Sequence, residues 1–97
     1  MARIDKIGKT ATKVLNENGF TKVVYHNTAV VKFDQDIIEL NSGGWRTNTT
    51  KVRMNQASNQ FGLGFHVFQR NGDWYVTVEN NGQIDELTFG DGMIISR

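Results

Sequence analysis

Apolar side chains recur at Ile4, Ile7, Ala11, Val14 and Leu15, the spacing of one helix face, and Gly19 follows them as a stop. This spacing predicts an amphipathic helix over Arg3–Asn18. Gly8 moves its effective start toward Thr10, because a glycine inside a helix costs about 1 kcal/mol relative to alanine. Beyond Gly19 the pattern changes. FTKVVYHNTAVVKF and DIIELN are rich in β-branched and aromatic residues and are split by Asp34-Gln35-Asp36, which predicts two or three antiparallel strands. A second helix is predicted after Gly43-Gly44, with Met54, Ala57 and Phe61 anchoring one face and Thr47 or Thr49 as its N-cap. In the C-terminal third, Asn71-Gly72, Asn81-Gly82 and Gly90-Asp91-Gly92 separate LGFHVFQR, DWYVTVE, IDELTF and MIISR, a meander of up to four strands. The expected fold is α+β: two helices packed on antiparallel β-sheet with a C-terminal β-meander, one domain over residues 1–97.

Asn71-Gly72 as a two-residue turn sets the register of its hairpin. Arg70 then faces Asp73, Phe68 faces Tyr75 and His66 faces Thr77 on one surface, while Phe65, Val67, Trp74, Val76 and Val78 share the other. The second surface is assigned to the core. The first carries His66, Phe68, Arg70 and Tyr75, the chemistry of a platform on which bases stack. Cross-strand ring pairs also simply stabilise hairpins, by about 0.2–1 kcal/mol, and the aromatic strand motif of an RRM is missing.

Composition narrows the partners. With 97 residues, the chain buries roughly 65% of its unfolded surface, enough for one core. It has no cysteine, hence no disulfide, thiol nucleophile or thiolate metal site, which fits the cytoplasm. The basic N-terminus is not followed by an apolar stretch, and no apolar run exceeds three residues, so neither secretion by that route nor a membrane span is expected. The net charge of +1 conceals a division: residues 1–55 hold nine Lys/Arg against five Asp/Glu, and residues 56–97 hold two against five. A polyanion would be drawn to the first half.

The segment NSGGWRTNTTKVRMNQ concentrates that charge. Cations at a helix start oppose the helix dipole and cost about 0.3–1 kcal/mol each when exposed. An anion would offset the cost: Gly43 and Gly44 admit close approach to the backbone, Thr47, Thr49 and Thr50 offer hydroxyls, and Arg46, Lys51 and Arg53 supply charge beside Trp45. The spacing is not that of a Walker loop, so nucleotide hydrolysis is not implied. The other reading is an ordinary capped helix whose cations pair with Asp34, Asp36 or Glu39. Catalytic and metal constellations are weak: His26 and His66 have no ligand at a recognised metal spacing, Asp85 and Glu86 alternate faces, and YHNT reads as a turn. No cofactor and no metal are expected.

YHNTAVVKF, IIELNSGGWRTNTTKVRMNQ and FHVFQRNGDWYV together resemble a group of small uncharacterised proteins of tailed bacteriophages, in which a GWRT-x-TTK-x-RMNQ segment precedes a G-x-WYV hairpin. The resemblance implies a phage protein made in the host bacterial cytoplasm, and no activity. Two functions from different classes remain. One is a nucleic-acid-binding accessory protein held on phosphate by the segment around Arg46. The other is a protein-directed inhibitor of a host enzyme or defence system, such as an anti-CRISPR protein, with Trp45, Arg46 and Tyr75 as natural hot spots. The basic segment favours the first; an enzyme and a virion component are further readings.

Overall fold

Four two-residue hairpin turns organise the chain. The computed structural model describes residues 12–44 and 46–97. Strands β1 (Thr12–Glu17), β2 (Phe20–Tyr25), β3 (Thr28–Phe33) and β4 (Ile37–Leu40) lead to helix α1 (Asn48–Phe61). Strands β5 (Phe65–Arg70), β6 (Asp73–Asn80), β7 (Gln83–Thr88) and β8 (Met93–Ser96) follow it. One sheet has the order β1-β2-β3-β4-β8 and the other β5-β6-β7, all neighbours antiparallel.

The described residues therefore hold a single helix against two antiparallel sheets, and the expectation of two helices is corrected. Thr12 to Glu17 pair with β2 from Thr12↔Tyr25 to Glu17↔Phe20. Asn18 and Gly19, at φ 53° and 82°, make the two-residue turn between them, so the glycine that resembled a helix stop closes a hairpin. The rest of that predicted helix, residues 3–11, lies outside the described residues. The C-terminal meander, expected to have up to four strands, has three. The fourth, β8, leaves it and pairs with β4, Ile38 against Ile95 and Leu40 against Met93.

Inward-facing residues of both sheets form one core. Val23, Val31, Phe33, Ile38, Leu40 and Ile95 come from the large sheet, and Phe65, Val67, Trp74 and Val76 from the small one. The hairpin register is the one that Asn71-Gly72 dictates, Phe68↔Tyr75 and Arg70↔Asp73. A bulge in the β2–β3 pairing sets Val23 against Val31 but Val24 against Ala29, leaving Val30 as the extra residue. That lets two successive valines, Val30 and Val31, both be buried, which strict alternation forbids.

Helix α1 closes the core with Met54 and Ala57, both fully buried, and with half-buried Phe61. It also substitutes for a missing strand. Asn55 donates its amide to the Val67 carbonyl at 2.9 Å and accepts from the Val67 N–H at 2.7 Å. Ser58, one turn on, donates to the Phe65 carbonyl at 2.6 Å and accepts from its N–H at 3.1 Å. Backbone groups on the free edge of β5 are thereby satisfied by side chains, so an edge that would otherwise be costly to bury is covered. Gly62 ends the helix in the left-handed conformation, φ 64°, its N–H bonded to the Ser58 carbonyl.

Candidate functional site

The start of α1 stands above the seam between the sheets. Thr47 is the N-cap: its hydroxyl accepts the Thr50 N–H at 3.2 Å and lies 3.1 Å from the Thr50 hydroxyl, which is fully buried. Thr49 is exposed. Trp45 lies outside the described residues.

The three cations around this cap diverge. The Arg46 guanidinium sits 5.2 Å from the Phe89 ring, and the Lys51 ammonium 5.6 Å from the Trp74 ring while donating to Gln69 at 3.0 Å. Phe89 and Trp74 meet edge to face at 5.4 Å, so Arg46 and Lys51 share one aromatic ledge. Arg53 turns to the other sheet. It lies 5.8 Å from the Tyr25 ring and donates to Thr12 at 2.9 Å and to Gln56 at 3.1 Å. The paired alternative was Asp34, Asp36 or Glu39, but among the described residues none of the three cations is in an ion pair. Asp34 instead caps its own turn, accepting from the N–H groups of Asp36 and Ile37. Contact with an aromatic face offsets part of the unfavourable placement at the helix start without an ion pair.

The glycine loop is filled from within. Asp91, in the turn before β8, accepts from the Ser42 N–H at 2.8 Å and the Ser42 hydroxyl at 2.6 Å. Burial acts to raise its pKa but is outweighed by the Ser42 hydroxyl and N–H, the Arg46 charge and the Gly44 N–H, so the carboxyl is held below its usual range. Gly43, at φ 65°, is needed for packing: a methyl there would overlap the Thr28 side chain. The sequence pattern missed Asp91 because Gly90-Asp91-Gly92 reads only as a turn; the partner of Ser42, 49 residues away, leaves no local signal.

The second constellation assembles on the outer face of the small sheet. His66 and Phe68 are 12° from parallel with centroids 6.4 Å apart, and Phe68 and Tyr75 stack at 5.6 Å and 28°. Arg70 covers both rings, 5.2 and 5.0 Å from their centroids, and pairs with Glu86 at 2.8 Å across two strands. Glu79 and Thr77 belong to the same face, and all of β7 is exposed. Apart from Arg70 the charge here is acidic.

A cavity of about 430 Å³ opens beside the first constellation, lined by Tyr25, His26, Asn27, Thr28, Ser42 and Thr47. From residue 2 to residue 96, the chain matches the family described as Kyanoviridae Gp96 protein. It belongs to that family. No curated protein and no solved structure matches it. The family is one of small tailed-phage proteins, so the phage origin stands, while the chemistry of this Gp96 family member rests on its own residues. Among those described, no three His, Asp or Glu side chains cluster as metal ligands, and no helix is long and apolar enough to cross a membrane.

Proposed function

We propose that this phage accessory protein binds nucleic acid in the host cytoplasm through the helix start and the loop before it. The observation that carries the reading is the state of Arg46, Lys51 and Arg53: each is held over a ring, and none is in an ion pair among the described residues. Their side chains are positioned while their charge stays available to phosphate. Thr49 and the Asn48 and Thr49 N–H groups at the helix start add donors. The test is fluorescence anisotropy with a labelled oligonucleotide across a salt series. Arg46→Ala with Lys51→Ala should weaken binding and reduce the salt slope by roughly one to two units. No binding by the wild type at low salt sinks the reading.

The protein-directed reading has its own supporting feature on the other side of the molecule. Every residue of β7 is exposed, Ile84 by 72% and Leu87 by 40%. The Asn80–Gln83 pair closes a two-residue hairpin, so Ile84, Glu86 and Thr88 turn their N–H and C=O groups to the open edge. With Glu79, Asp85 and Glu86 there, this edge suits an extended basic segment of a host protein. Affinity capture from infected cells with and without nuclease separates the two: loss of all captured partners on nuclease treatment favours nucleic acid, and a nuclease-resistant host protein favours inhibition.

A further inference from the structure

The β2–β3 turn departs from the rule that the other two-residue turns obey. Asn18-Gly19, Asn71-Gly72 and Asn81-Gly82 place positive φ at both central positions, on the residues that tolerate it best. At His26-Asn27 the first central residue is His26 with φ 56°, and Asn27 is not in the left-handed region. Histidine, like asparagine and aspartate, enters this region more readily than other non-glycine residues, so histidine or asparagine can occupy the position.

His26 forms the lip of the 430 Å³ cavity, a size within the range of small-ligand sites. Its ring packs on Tyr25 with centroids 4.4 Å apart and planes tilted by 56°. The imidazole is exposed and makes no hydrogen bond among the described residues, and the neighbouring Asn27 amide and Thr28 hydroxyl complete a polar rim. Arg53 lies over the Tyr25 wall. The cavity thus combines an aromatic wall, donors and acceptors of both kinds at its mouth, and a cation at its side. Those are the three requirements of one unstacked nucleotide: a face to stack on, partners for the base edge and a charge for the phosphate.

We infer that the cavity receives a single unstacked base of a single-stranded DNA or RNA, with His26 and Tyr25 contacting its face and Asn27 and Thr28 its edge. The inference rests on the nucleic-acid reading above and deepens it. A duplex, whose bases are paired and stacked, cannot enter, so single strands bind more tightly than the duplex of the same sequence.

The decisive variant is His26→Asn, which restores the residue that the other turns use. Both residues suit a positive φ, so the melting temperature should stay within a few degrees of the wild type. Removal of the ring weakens binding of fluorescein-labelled oligothymidylate, or its RNA counterpart, about tenfold while leaving duplex affinity within twofold. Weakened single-strand binding at unchanged stability would mark a residue kept for its ligand. A variant that binds single strands like the wild type overturns the pocket and leaves the phosphate contacts of Arg46 and Lys51 standing. Weakened binding of single strand and duplex alike also overturns it, as does a wild type that binds neither, which removes the broader reading as well. Separate DNA and RNA arms identify the sugar.

Discussion

Rings and cations meet at several places in this protein, and two of these surfaces are electrostatic opposites. Around the start of α1, Arg46, Lys51 and Arg53 rest on Phe89, Trp74 and Tyr25 without a carboxylate at ion-pair distance among the described residues. On the small sheet, Arg70 also rests on two rings, but Glu86 neutralises it and Glu79 adds negative charge on the same face. The same residue types therefore create opposite fields. A ring that looks available for stacking is useful to a nucleic acid only where the surrounding field admits phosphate.

Burial makes the largest difference between adjacent side chains on these surfaces. Trp74 is 3% exposed, in contact with Phe89 beneath the helix start, while Tyr75 next to it stands on the open face. Trp74→Ala should destabilise by about 3–5 kcal/mol, through lost contacts and the cavity left behind. Against a total stability of about 5–15 kcal/mol this could unfold the protein. Tyr75→Ala should cost much less. Urea denaturation of both variants checks this, and equal losses would mean that the outer face is covered like the inner one.

Binding supplies the next contrast. Arg46→Ala with Lys51→Ala should weaken oligonucleotide binding about tenfold or more at low salt, because phosphate contacts dominate affinity. Phe68→Ala should change it less than twofold, since its neighbours repel phosphate. Anisotropy on both variants in one buffer provides the comparison. A larger effect at Phe68 would move the contact surface to the small sheet.

The parts of this architecture legible in the sequence are those fixed by local rules. Asn71-Gly72 sets the β5–β6 register, and Met54, Ala57 and Phe61 mark the inner side of α1. The charge division puts Arg46, Lys51 and Arg53 in the basic half of the chain and Glu79 and Glu86 in the acidic half. Strand β1 was missed because it is an edge strand with no fully buried residue: Val14 and Leu15 are adjacent, so no alternation distinguishes it from a helix. The destination of β8 was hidden because nothing within MIIS records that Leu40, half the chain away, accepts its pairing. Ser42 and Asp91 were invisible as a pair for the same reason. Loop closure over that distance follows from the finished fold and leaves no pattern in either segment.

Asp91 links the basic surface to pH. Its folded-state pKa lies below the unfolded value of about 3.8, so its contribution is present above that value and is lost as pH falls through the lower folded-state pKa. Asp91→Asn should destabilise at neutral pH by about 1 kcal/mol, allowing for solvent exposure. The difference from wild type should shrink at the acid end of a denaturation series. The same variant removes a carboxylate that acts on Arg46 and should tighten oligonucleotide binding slightly. Lower stability with tighter binding is expected if Asp91 stands where phosphate would compete; weaker binding would mean that Asp91 orders the loop for its ligand.

The smallest effect belongs to the Arg70–Glu86 pair. Both side chains are about half exposed, 54% and 44%, and an ion pair of this kind contributes less than about 1 kcal/mol and fades with salt. A double-mutant cycle with Arg70→Met and Glu86→Gln should therefore give a coupling below that value, disappearing in high salt. Its worth to the comparison lies elsewhere. Glu86→Gln alone leaves Arg70 over Phe68 and Tyr75 as an unpaired cation, the condition that Arg46 and Lys51 already satisfy on the opposite surface. If field rather than ring placement decides where nucleic acid binds, Phe68→Ala should acquire a small effect on single-strand binding in the Glu86→Gln background while having none in the wild type. No change in either background would leave ring placement, not charge, as the feature that distinguishes the two surfaces.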